Sequence, residues 1–493
     1  MVNTLSAAKL VKPGQFEPSR HFYPRALNAT IHPMVAFFMR LSRERLVSRY
    51  CHLNPKVDPQ ALSELLSYQP RFFRWAGVDL FNVTTENGHR EMVLIETNSC
   101  PSGQKSMPLL ADDKEEAGYQ ILVEQVMKPL FKKVRKEKGR DSGALAVIYD
   151  KNEMEASGYA AALANAFNEP VHLSTFKASD SDPPTRFVDR CLEVRDEEGN
   201  WIPIRAAFRY LTQRPWERLP LHPRTAILNP IQACLAGGRN KAVAATAYEL
   251  LNSELAGTGL KIRTPETIKD VSKGEIPMLV RKMGGHAVVK VPYSNAGQGV
   301  FTITREAELN AFMDMEFPYN QFIVQSLIGN YLWSSSGARG RFYHVGMLPN
   351  KRNEIYVADA RMMVGVGEQG FFPLAVYGRK APVPLLEKLD GSTDSWSMLG
   401  TNLSVKKGAD SWDSDTERLV LMDRRDFNTL GLSLDDLLKG FIQAVLATVA
   451  IDKMACNLTT QKGRFRLKLY QTLNDDEALL DEIRRGNPSE QRQ

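Results

Sequence analysis

The stretch Val78–Pro101, VDLFNVTTENGHREMVLIETNSCP, consists of two apolar, β-rich runs on either side of Asn87-Gly88. An Asn-Gly pair between two such runs is a strong signal for a two-residue hairpin turn. That turn would make residues whose numbers add up to 175 face each other, so Asp79 would lie opposite Glu96. Asn98 would share a face with Glu96, because side chains alternate between the two faces of a strand. The stretch therefore predicts two carboxylates and an amide oxygen at one end of a hairpin.

These three oxygen-bearing side chains are candidate ligands of a magnesium ion. Two carboxylates this close together repel each other unless a cation compensates their charge. Oxygen ligands, with no Cys or His among them, suit Mg²⁺ that is held against phosphates. We therefore predict Asp79, Glu96 and Asn98 as metal ligands. The alternative is a surface hairpin with solvated acids, since Asp and Glu are mostly exposed in folded proteins.

A second motif, Ala287–Ile303, AVVKVPYSNAGQGVFTI, has the features of a phosphate-binding loop. Its first β run carries a lysine, which supplies a mobile point charge for phosphates. The loop after it contains glycines, which let backbone N–H groups approach an anion closely. The motif matches neither the P-loop nor the GxGxxG pattern, and the alternative is an ordinary hairpin with glycines. The predicted nucleotide contacts of this motif are Lys290, Ser294, Asn295, Gly297, Gln298 and Gly299.

The composition bounds the class of protein. The chain has 493 residues, enough for two or more domains, and its 43% hydrophobic and 24% charged residues are typical of a folded globular protein. The net charge of +6 is small for this length, so it does not indicate a nucleic-acid partner. It fits a protein whose substrates are anions.

Five cysteines are scattered along the chain without any CxxC pair, which fits a reducing cytosol rather than a disulfide framework or a zinc site. Cys100 lies next to the predicted metal face, but no histidine is matched to it, and we do not assign it as a nucleophile. We expect no signal peptide, and the apolar run Phe441–Ile451 is too short to cross a membrane. The expected location is cytoplasmic, with no membrane partner.

The patterns along the chain predict alternating helices and strands. Ala144–Tyr149 is a continuous apolar run, typical of a buried parallel strand. Ser433 and Asp436 form a capping box at the start of a long helix that extends to Lys453. The other predicted helices are Met34–Tyr50, Asp58–Tyr68, a long helix from about Asp112 to Lys138, Glu153–Phe167 and Lys241–Leu255. The other predicted strands include Val171–Ser174, Phe322–Leu327 and a β-rich region over 339–381, and 389–415 is predicted as loop.

The order of these motifs resembles that of the ATP-grasp ligases. The acidic metal segment comes first here, which resembles the circularly permuted branch that includes eukaryotic glutathione synthetase and glutathionylspermidine synthase. Glu96-Thr97-Asn98 with Ser99–Gln104 is similar to the metal and substrate segment of that branch. Asn240-Lys241 and Val289-Lys290 are similar to its two ATP lysines. The likeness spans about residues 70–410 and rests on motif order rather than on close identity.

The resemblance implies further site residues. Ala207-Phe208-Arg209-Tyr210 is similar to the strand that presents a substrate-binding arginine, and Asp359-Ala360-Arg361 to the basic strand near the phosphates. Phe322–Leu327 is placed like the strand that leads to the adenine hinge, which implies contacts from Gln325 and Leu327. Thr401-Asn402-Leu403-Ser404 resembles a loop that is found late in these domains. The implied catalytic arginines are Arg361, Arg209 and Arg379, and Lys241 joins the nucleotide contacts.

The implied fold class is a mixed α+β (α/β) ATP-grasp fold, circularly permuted and with a parallel pre-ATP-grasp domain. The implied divisions are a loosely ordered segment 1–30, a helical region with the metal hairpin 31–140, a substrate domain 141–235, a lid subdomain 236–335, a C-terminal subdomain 336–483 and a frayed tail 484–493.

The chain departs from the resemblance in its glycine-rich loop. A glutathione synthetase has an acidic metal ligand there, where this chain has Ser294 and Asn295. Asp79 would compensate, or only one metal ion would bind tightly. Arg464–Asp476, RFRLKLYQTLNDD, also has the shape of a metal strand, but it lacks a Glu-x-Asn and is discounted.

The implied activity is an ATP- and Mg²⁺-dependent ligation of a carboxylate to an amine or a thiol through an acyl phosphate, with release of ADP. The expected partners are small molecules, namely amino acids, peptides or polyamines, and a homodimer is usual in the family. Two alternatives remain at this point. One is a phosphotransferase on the same scaffold, and the other is a nucleotide-binding regulatory protein without turnover.

Overall fold

The computed structural model describes residues 6–111, 115–132, 143–294, 297–338, 340–406 and 412–487. The predicted hairpin is formed by the strands Trp75–Thr85 and Arg90–Asn98. Its loop has three residues rather than two, because the Thr85 N–H donates to His89 O at 2.9 Å and Gly88 takes a φ of 76°. The predicted register is therefore wrong by one residue near the turn.

A bulge at Ile95 corrects this register before the strands reach the predicted metal residues. Thr84 pairs with Arg90 near the turn, but the pairing shifts by one residue between Asp79 and Leu80. Asp79 consequently faces Glu96, and the predicted pairing of these two residues is confirmed. A bulge of this kind leaves one residue without an opposite partner and turns the side chains beyond it to the other face.

The hairpin belongs to a six-stranded antiparallel sheet, together with strands from much later in the chain. The long helix Leu434–Asn457 packs on this sheet, where Gly440 lies next to Leu80, Met92 and Met362. Its capping box between Ser433 and Asp436 is present as predicted. The sheet consists of Phe342–His344, Trp75–Thr85, Arg90–Asn98, Ala358–Gly367, Gly370–Lys380 and Leu419–Val420.

A seven-stranded mixed sheet forms the α/β unit. Ala144–Tyr149 lies at its centre and pairs in parallel with both of its neighbours, as its apolar run predicted. The helix Glu153–Phe167 packs on this sheet with the predicted bounds. The strand order is Lys9–Val11, Val171–Thr175, Ala144–Tyr149, Trp201–Tyr210, Cys191–Arg195 and Thr185–Val188, and Ala226–Leu228 pairs with Trp201–Tyr210.

A four-stranded antiparallel sheet carries the predicted phosphate-binding loop between two of its strands. The helix Lys241–Glu254 contacts the sheet through its edge strand. The strand order is Thr267–Ser272, Gln321–Ser326, Ala287–Lys290 and Val300–Ile303. A further two-stranded sheet pairs Ser404–Lys406 with Trp412–Ser414 inside the region that was predicted as loop.

Several helices differ from the sequence prediction. Met34–Tyr50 is two helices, Pro33–Met39 and Arg43–Leu53, because the Ser42 side chain caps the second one. The discounted segment 464–476 is a helix, Leu467–Leu473, rather than a strand. The predicted helix from about Asp112 to Lys138 begins at Ala117 in the described residues, and residues 112–114 and 133–142 lie outside the described parts of the chain.

The remaining helices connect these sheets or cover them. Pro59–Ser67 matches the predicted Asp58–Tyr68, with Asp58 as its N-cap. In the described residues, no helix is both long enough and apolar enough to cross a membrane. The other α-helices are Pro18–His21, Pro24–Leu27, Ala117–Leu122, Ile231–Ala233, Ile276–Lys282, Glu306–Asp314, Ser395–Leu399 and Glu477–Arg485.

Candidate functional site

A cleft between the four-stranded and six-stranded sheets brings together the two motifs on which the sequence analysis depends. Its volume is about 940 Å³ including the open mouth, which is the size of a small-molecule site. The hairpin contributes Asp79, Glu96 and Asn98, and the distant segments contribute Lys241 and Lys290. The predicted metal face and the lysine-bearing loop therefore line one cavity.

Lys241 connects the hairpin to the glycine-rich loop. Asn240 caps the helix that Lys241 begins, and the Lys241 N–H donates to Pro292 O at 3.0 Å. The Lys241 Nζ lies 3.2 Å from Glu96 Oε1 and donates to Ser294 O at 2.7 Å. Burial raises the pKa of Glu96, but the charges of Lys241 and Lys290 outweigh it and hold this pKa below its ordinary value. Glu96 is thus a carboxylate kept ionised inside the cleft.

Lys290 is a buried cation that contacts no carboxylate directly among the described residues. Its Nζ donates to Gln325 Oε1 at 2.7 Å, and the Gln325 amide in turn donates to Thr267 Oγ1 at 2.9 Å. Burial lowers the pKa of Lys290 to about 8, because the attraction of Glu96 only partly offsets burial and Lys241 adds repulsion. A protein that buries a charge in this way needs an anion close by to stabilise it.

Asp79 is held by arginines rather than left free for a metal ion. Arg361 faces Asp79 across the sheet, and its Nε and Nη2 donate to the two carboxylate oxygens at 2.6 and 2.8 Å. Arg379 Nη2 lies 3.0 Å from Asp79 Oδ2. Burial raises the pKa of Asp79, but the two arginines outweigh it and lower the pKa to about 2. This geometry argues against the predicted role of Asp79 as a metal ligand.

The same network engages both arginines that were predicted as catalytic on this sheet. Arg379 Nε donates to Asp359 Oδ1 at 2.9 Å, and the Thr401 hydroxyl donates to Asp359 Oδ2 at 2.8 Å. Arg361 and Arg379 line the cleft, but their donors are largely satisfied by Asp79 and Asp359. Their placement favours support of the cleft wall over direct contact with a transferred group.

Arg209 does not line the cleft, and the geometry argues against its predicted catalytic role. The residue is 1% exposed in the α/β unit. Its guanidinium donates to backbone oxygens of Asn229 at 2.8 Å, Leu211 at 3.1 Å and Ser99 at 3.2 Å. These bonds tie three loops together. The sequence motif pointed to Arg209, but it could not show that backbone oxygens accept the hydrogen bonds of its guanidinium.

The glycine-rich loop approaches the cleft through Gly297. This residue has a φ of 77°, and a Cβ added there would lie 2.9 Å from the Trp396 ring, so only glycine fits. Ser294 O accepts from Lys241, and Gly299 O accepts from the Val291 N–H at 2.7 Å. Gln298 is exposed and is not in the cleft wall. The predicted contact Asn295 lies outside the described residues.

The predicted adenine hinge lies at the apolar end of the cleft. Gln325 and Leu327 both line it. The backbone of Leu327 is already paired, since its N–H donates to Ser335 Oγ at 2.7 Å and its carbonyl accepts from the Ser335 N–H at 3.0 Å. The apolar part of the wall is formed by Phe81, Val288, Leu327, Ile328 and Leu399.

No protein-family model matches the sequence, and no curated protein matches it. Forty-two chains of solved structures do match. A glutathione synthetase-like effector from Globodera pallida in its apo form is 10% identical, with a TM-score of 0.38 and 70% of this chain and 82% of that chain covered.

Two further structural matches are more distant. A RimK domain ATP-grasp protein from Sphaerobacter thermophilus is 15% identical, with a TM-score of 0.28 and coverage of 47% of this chain and 90% of that chain. N5-carboxyaminoimidazole synthetase from Staphylococcus aureus, solved with ADP, is 9% identical, with a TM-score of 0.20 and coverage of 52% and 68%.

The cleft brings together the two lysines that the sequence resemblance likens to ATP lysines. At identities of 15% or less and TM-scores of 0.38 or less, the structural matches are distant likenesses of fold. The circularly permuted order and the division into subdomains stay predictions. The hairpin and the predicted C-terminal subdomain share one sheet, although they are far apart in the chain.

The donor atoms of the cleft decide whether it fits Mg²⁺. In the described part of the chain, the buried Nδ2 of the Asn98 amide has no hydrogen-bond partner, and Glu96 beside it is ionised. An amide oxygen and a carboxylate oxygen are suitable ligands for Mg²⁺, which also keeps waters and binds phosphates. In the described parts of the chain, no group of three or more His, Cys, Asp or Glu could hold a metal ion. The residues therefore fit one phosphate-bound Mg²⁺ rather than a cage made only of protein.

Sequence reasoning missed two side chains of the cleft. His344 lines the wall and stacks edge-on against Phe81 at 4.6 Å, and burial lowers its pKa to about 3, so it is neutral. Trp396 closes the cleft over Gly297. Neither residue carries a motif, because each reaches the cleft through tertiary packing. Only their aromatic character in otherwise polar or β-rich segments could have drawn attention to them.

Proposed function

We propose that the protein is an ATP-dependent ligase that joins a small-molecule carboxylate to an amine or a thiol. The observation that carries this proposal is the convergence of Glu96, Lys241 and Lys290 on one cleft from three distant parts of the chain. Two buried cations and one ionised carboxylate suit a triphosphate with its magnesium ion. An amino acid, a peptide or a polyamine is the proposed class of substrate.

In the proposed reaction, Lys241 and Lys290 hold the phosphates of ATP, and Glu96 and Asn98 would hold the magnesium ion. The bound metal would neutralise charge on the phosphates. The substrate carboxylate attacks the γ-phosphorus, which breaks the bond to the β-phosphate oxygen and gives an acyl phosphate and ADP. The amine then attacks the acyl carbon and displaces phosphate. Such transfers depend mainly on positioning and on electrostatic stabilisation, which the rigid strands on both sides of the cleft supply.

A coupled assay with substrate pools tests this proposal. The protein is supplied with ATP, Mg²⁺ and mixtures of amino acids, peptides and polyamines, and the release of ADP and free phosphate is measured. We expect both products in equal amounts, and only when a carboxylate and an amine are present together. ADP without free phosphate, with a stable phosphorylated product, would indicate a phosphotransferase instead.

One observation favours a second candidate function, nucleotide binding without turnover. Asp79 is neutralised by arginines, and the glycine-rich loop offers no acid, so Glu96 is the one carboxylate of the predicted ligands that remains for a metal. Tight ATP binding with no ADP release in any substrate pool would support this candidate. The ionised state of Glu96, held between two lysines, favours the ligase.

The affinity for ATP is expected to fall as the pH rises through about 8. The pKa of Lys290 is lowered to about 8, so this lysine is charged below that pH and becomes a neutral amine above it. A neutral amine no longer attracts phosphate, and binding to the free protein reports the pKa of the free protein. The dissociation constant of AMP-PNP with Mg²⁺, measured between about pH 6.5 and 9.5, checks the prediction.

The matched control for this titration is Lys290→Arg, because a guanidinium stays charged throughout the range. Its affinity should change with pH only as much as the phosphates of the nucleotide themselves require. An identical pH profile in wild type and Lys290→Arg would show that Lys290 does not hold the nucleotide.

A further inference from the structure

The C-terminal segment Arg464–Asn487 lies against both of the segments that carry the predicted ATP lysines. Its residues 464–476 have no role in the proposed reaction, and no ATP-binding motif occurs in them. The segment forms the helices Leu467–Leu473 and Glu477–Arg485. Three of its buried polar side chains form hydrogen bonds with the start of the Lys241 helix and with the base of the glycine-rich loop.

The first contact fixes the start of the Lys241 helix. Asn240 Oδ1 accepts from the N–H groups of Ala242 and Val243 at 3.1 and 3.2 Å, which caps the helix. The amide nitrogen of the same side chain donates to the Tyr470 hydroxyl at 2.8 Å. Both ends of the Asn240 amide are thereby used, and Asn240 and Tyr470 are 2% and 0% exposed. Tyr470 thus holds the cap in the orientation that the helix requires.

The second contact fixes the base of the glycine-rich loop. The Tyr293 hydroxyl lies 2.7 Å from Nδ2 and 2.9 Å from Oδ1 of Asn474, and 3.4 Å from Oδ2 of Asp476. Asp476 Oδ2 also accepts from the backbone N–H groups of Asn320 and Gln321, at the start of the strand that carries Gln325. All three side chains of this contact are buried.

The two contacts act on one connected unit. Lys241 donates through its backbone to Pro292 O and through its side chain to Ser294 O, the residues on either side of Tyr293. Lys290 lies three residues before Tyr293 on the same chain. A displacement of Tyr293 would therefore disturb the adjacent residues that accept hydrogen bonds from Lys241, and also the chain segment that carries Lys290. A displacement of an exposed loop residue would not.

We propose that Tyr293, Asn474 and Tyr470 are positioning residues of the nucleotide site. The C-terminal segment uses them to hold the Lys241 helix and the glycine-rich loop in the geometry that binds the triphosphate. The inference rests on the proposed function for the identity of the ligand. A phenylalanine would fill the volume of Tyr293 equally well, so the hydroxyl contributes only its hydrogen bonds to the C-terminal segment.

The test compares Tyr293→Phe with a matched control, Tyr319→Phe. Tyr319 stacks against Tyr293 at 4.7 Å, and its hydroxyl also bonds to the C-terminal segment, at 3.0 Å from Glu482. Its acceptor Glu482 also accepts from Arg214 and Trp216, which belong to neither lysine-bearing segment. A purely structural role of such hydroxyls would make the two variants alike in thermal stability and in AMP-PNP binding.

We expect Tyr293→Phe to weaken the binding of AMP-PNP with Mg²⁺ by about tenfold, the size of one lost buried hydrogen bond. Tyr319→Phe should bind within about twofold of wild type. In turnover, the KM for ATP should rise for Tyr293→Phe with little change in kcat, because uniform binding is lost. Asn474→Leu should weaken binding by a similar factor, and the double variant should be no weaker than either single variant.

Hydrogen exchange gives a readout that does not depend on the nucleotide. The amides of Lys241 and Val291 should exchange faster in Tyr293→Phe than in wild type, and should be unchanged in Tyr319→Phe. Equal exchange and equal AMP-PNP affinity in both variants would overturn the positioning role. A wild-type protein that binds no AMP-PNP would instead overturn the proposed function, while faster exchange in Tyr293→Phe alone would still support the contact as a positioning device.

Discussion

Replacement of Glu96 by Gln is expected to lower ADP release by about two to three orders of magnitude while the protein stays folded. Gln keeps the size of the side chain and one oxygen, so packing changes little. It removes the negative charge of the carboxylate, which the two lysines keep ionised in the cleft. A magnesium ion bridging ATP phosphates would lose its one charged protein ligand, because Asp79 is already paired with Arg361 and Arg379.

The control for this variant is Glu91→Gln, five residues earlier on the same strand. Glu91 forms its ion pair with Arg263, away from the cleft. ADP release and thermal unfolding are measured for both variants across a range of Mg²⁺ concentrations. We expect Glu91→Gln to keep full turnover and Glu96→Gln to keep a melting temperature near that of wild type. Full turnover in Glu96→Gln would disprove the metal assignment.

The sequence could predict which segments meet, because the chemistry of each segment needed the other. A carboxylate and an amide on one strand face favour the binding of a cation, and a lysine before a glycine-rich loop favours the binding of an anion. A magnesium-bound triphosphate satisfies both, so the convergence of Glu96 and Lys290 on one cleft was predictable. The parallel strand Ala144–Tyr149 was predictable for a simpler reason, since a continuous apolar run must be buried on both faces.

The roles of the buried charges could not be predicted in the same way. Asp79 and Arg361 are 282 residues apart in sequence and become neighbours only through the pairing of their strands. Each looked like a free functional group when taken alone. The role of Arg209 could not be predicted either, because its guanidinium donates to backbone carbonyls. Every residue has a backbone carbonyl, so the sequence does not mark which ones serve as partners. Sequence patterns indicate where a charge is present, while its partner decides whether it acts on a substrate or on the fold.

The predicted pairing in the hairpin was correct, although the turn from which it was derived was wrong by one residue. The Asn87-Gly88 signal predicted a two-residue turn, and the observed loop has one residue more. The bulge at Ile95 restores the pairing of Asp79 with Glu96. Nothing in the local sequence marks this bulge, because Ile is a typical strand residue. The bulge places Glu96 and Asn98 on the wall of the cleft.

The network around Asp79 leads to the second large expected effect. Asp79→Asn should lower the free energy of unfolding by about 3–5 kcal/mol, because it leaves the two buried arginines Arg361 and Arg379 with Asp359 as their one carboxylate. Chemical denaturation without Mg²⁺ measures the loss. The Mg²⁺ concentration that supports half-maximal turnover should change little. A protein of normal stability with a greatly raised Mg²⁺ requirement would restore Asp79 as a metal ligand.

Two further measurements separate a lost ion pair from a general loss of packing. The double variant Asp79→Leu/Arg361→Met should recover much of the stability, because it removes both charges and leaves Arg379 with Asp359. The pKa of Asp79 is lowered to about 2 in the folded protein, against about 3.9 when unfolded. Its contribution is therefore complete above about pH 4 and is lost as the pH falls toward 2. The difference in stability between wild type and Asp79→Asn should shrink over that window and should not change between pH 5 and 8.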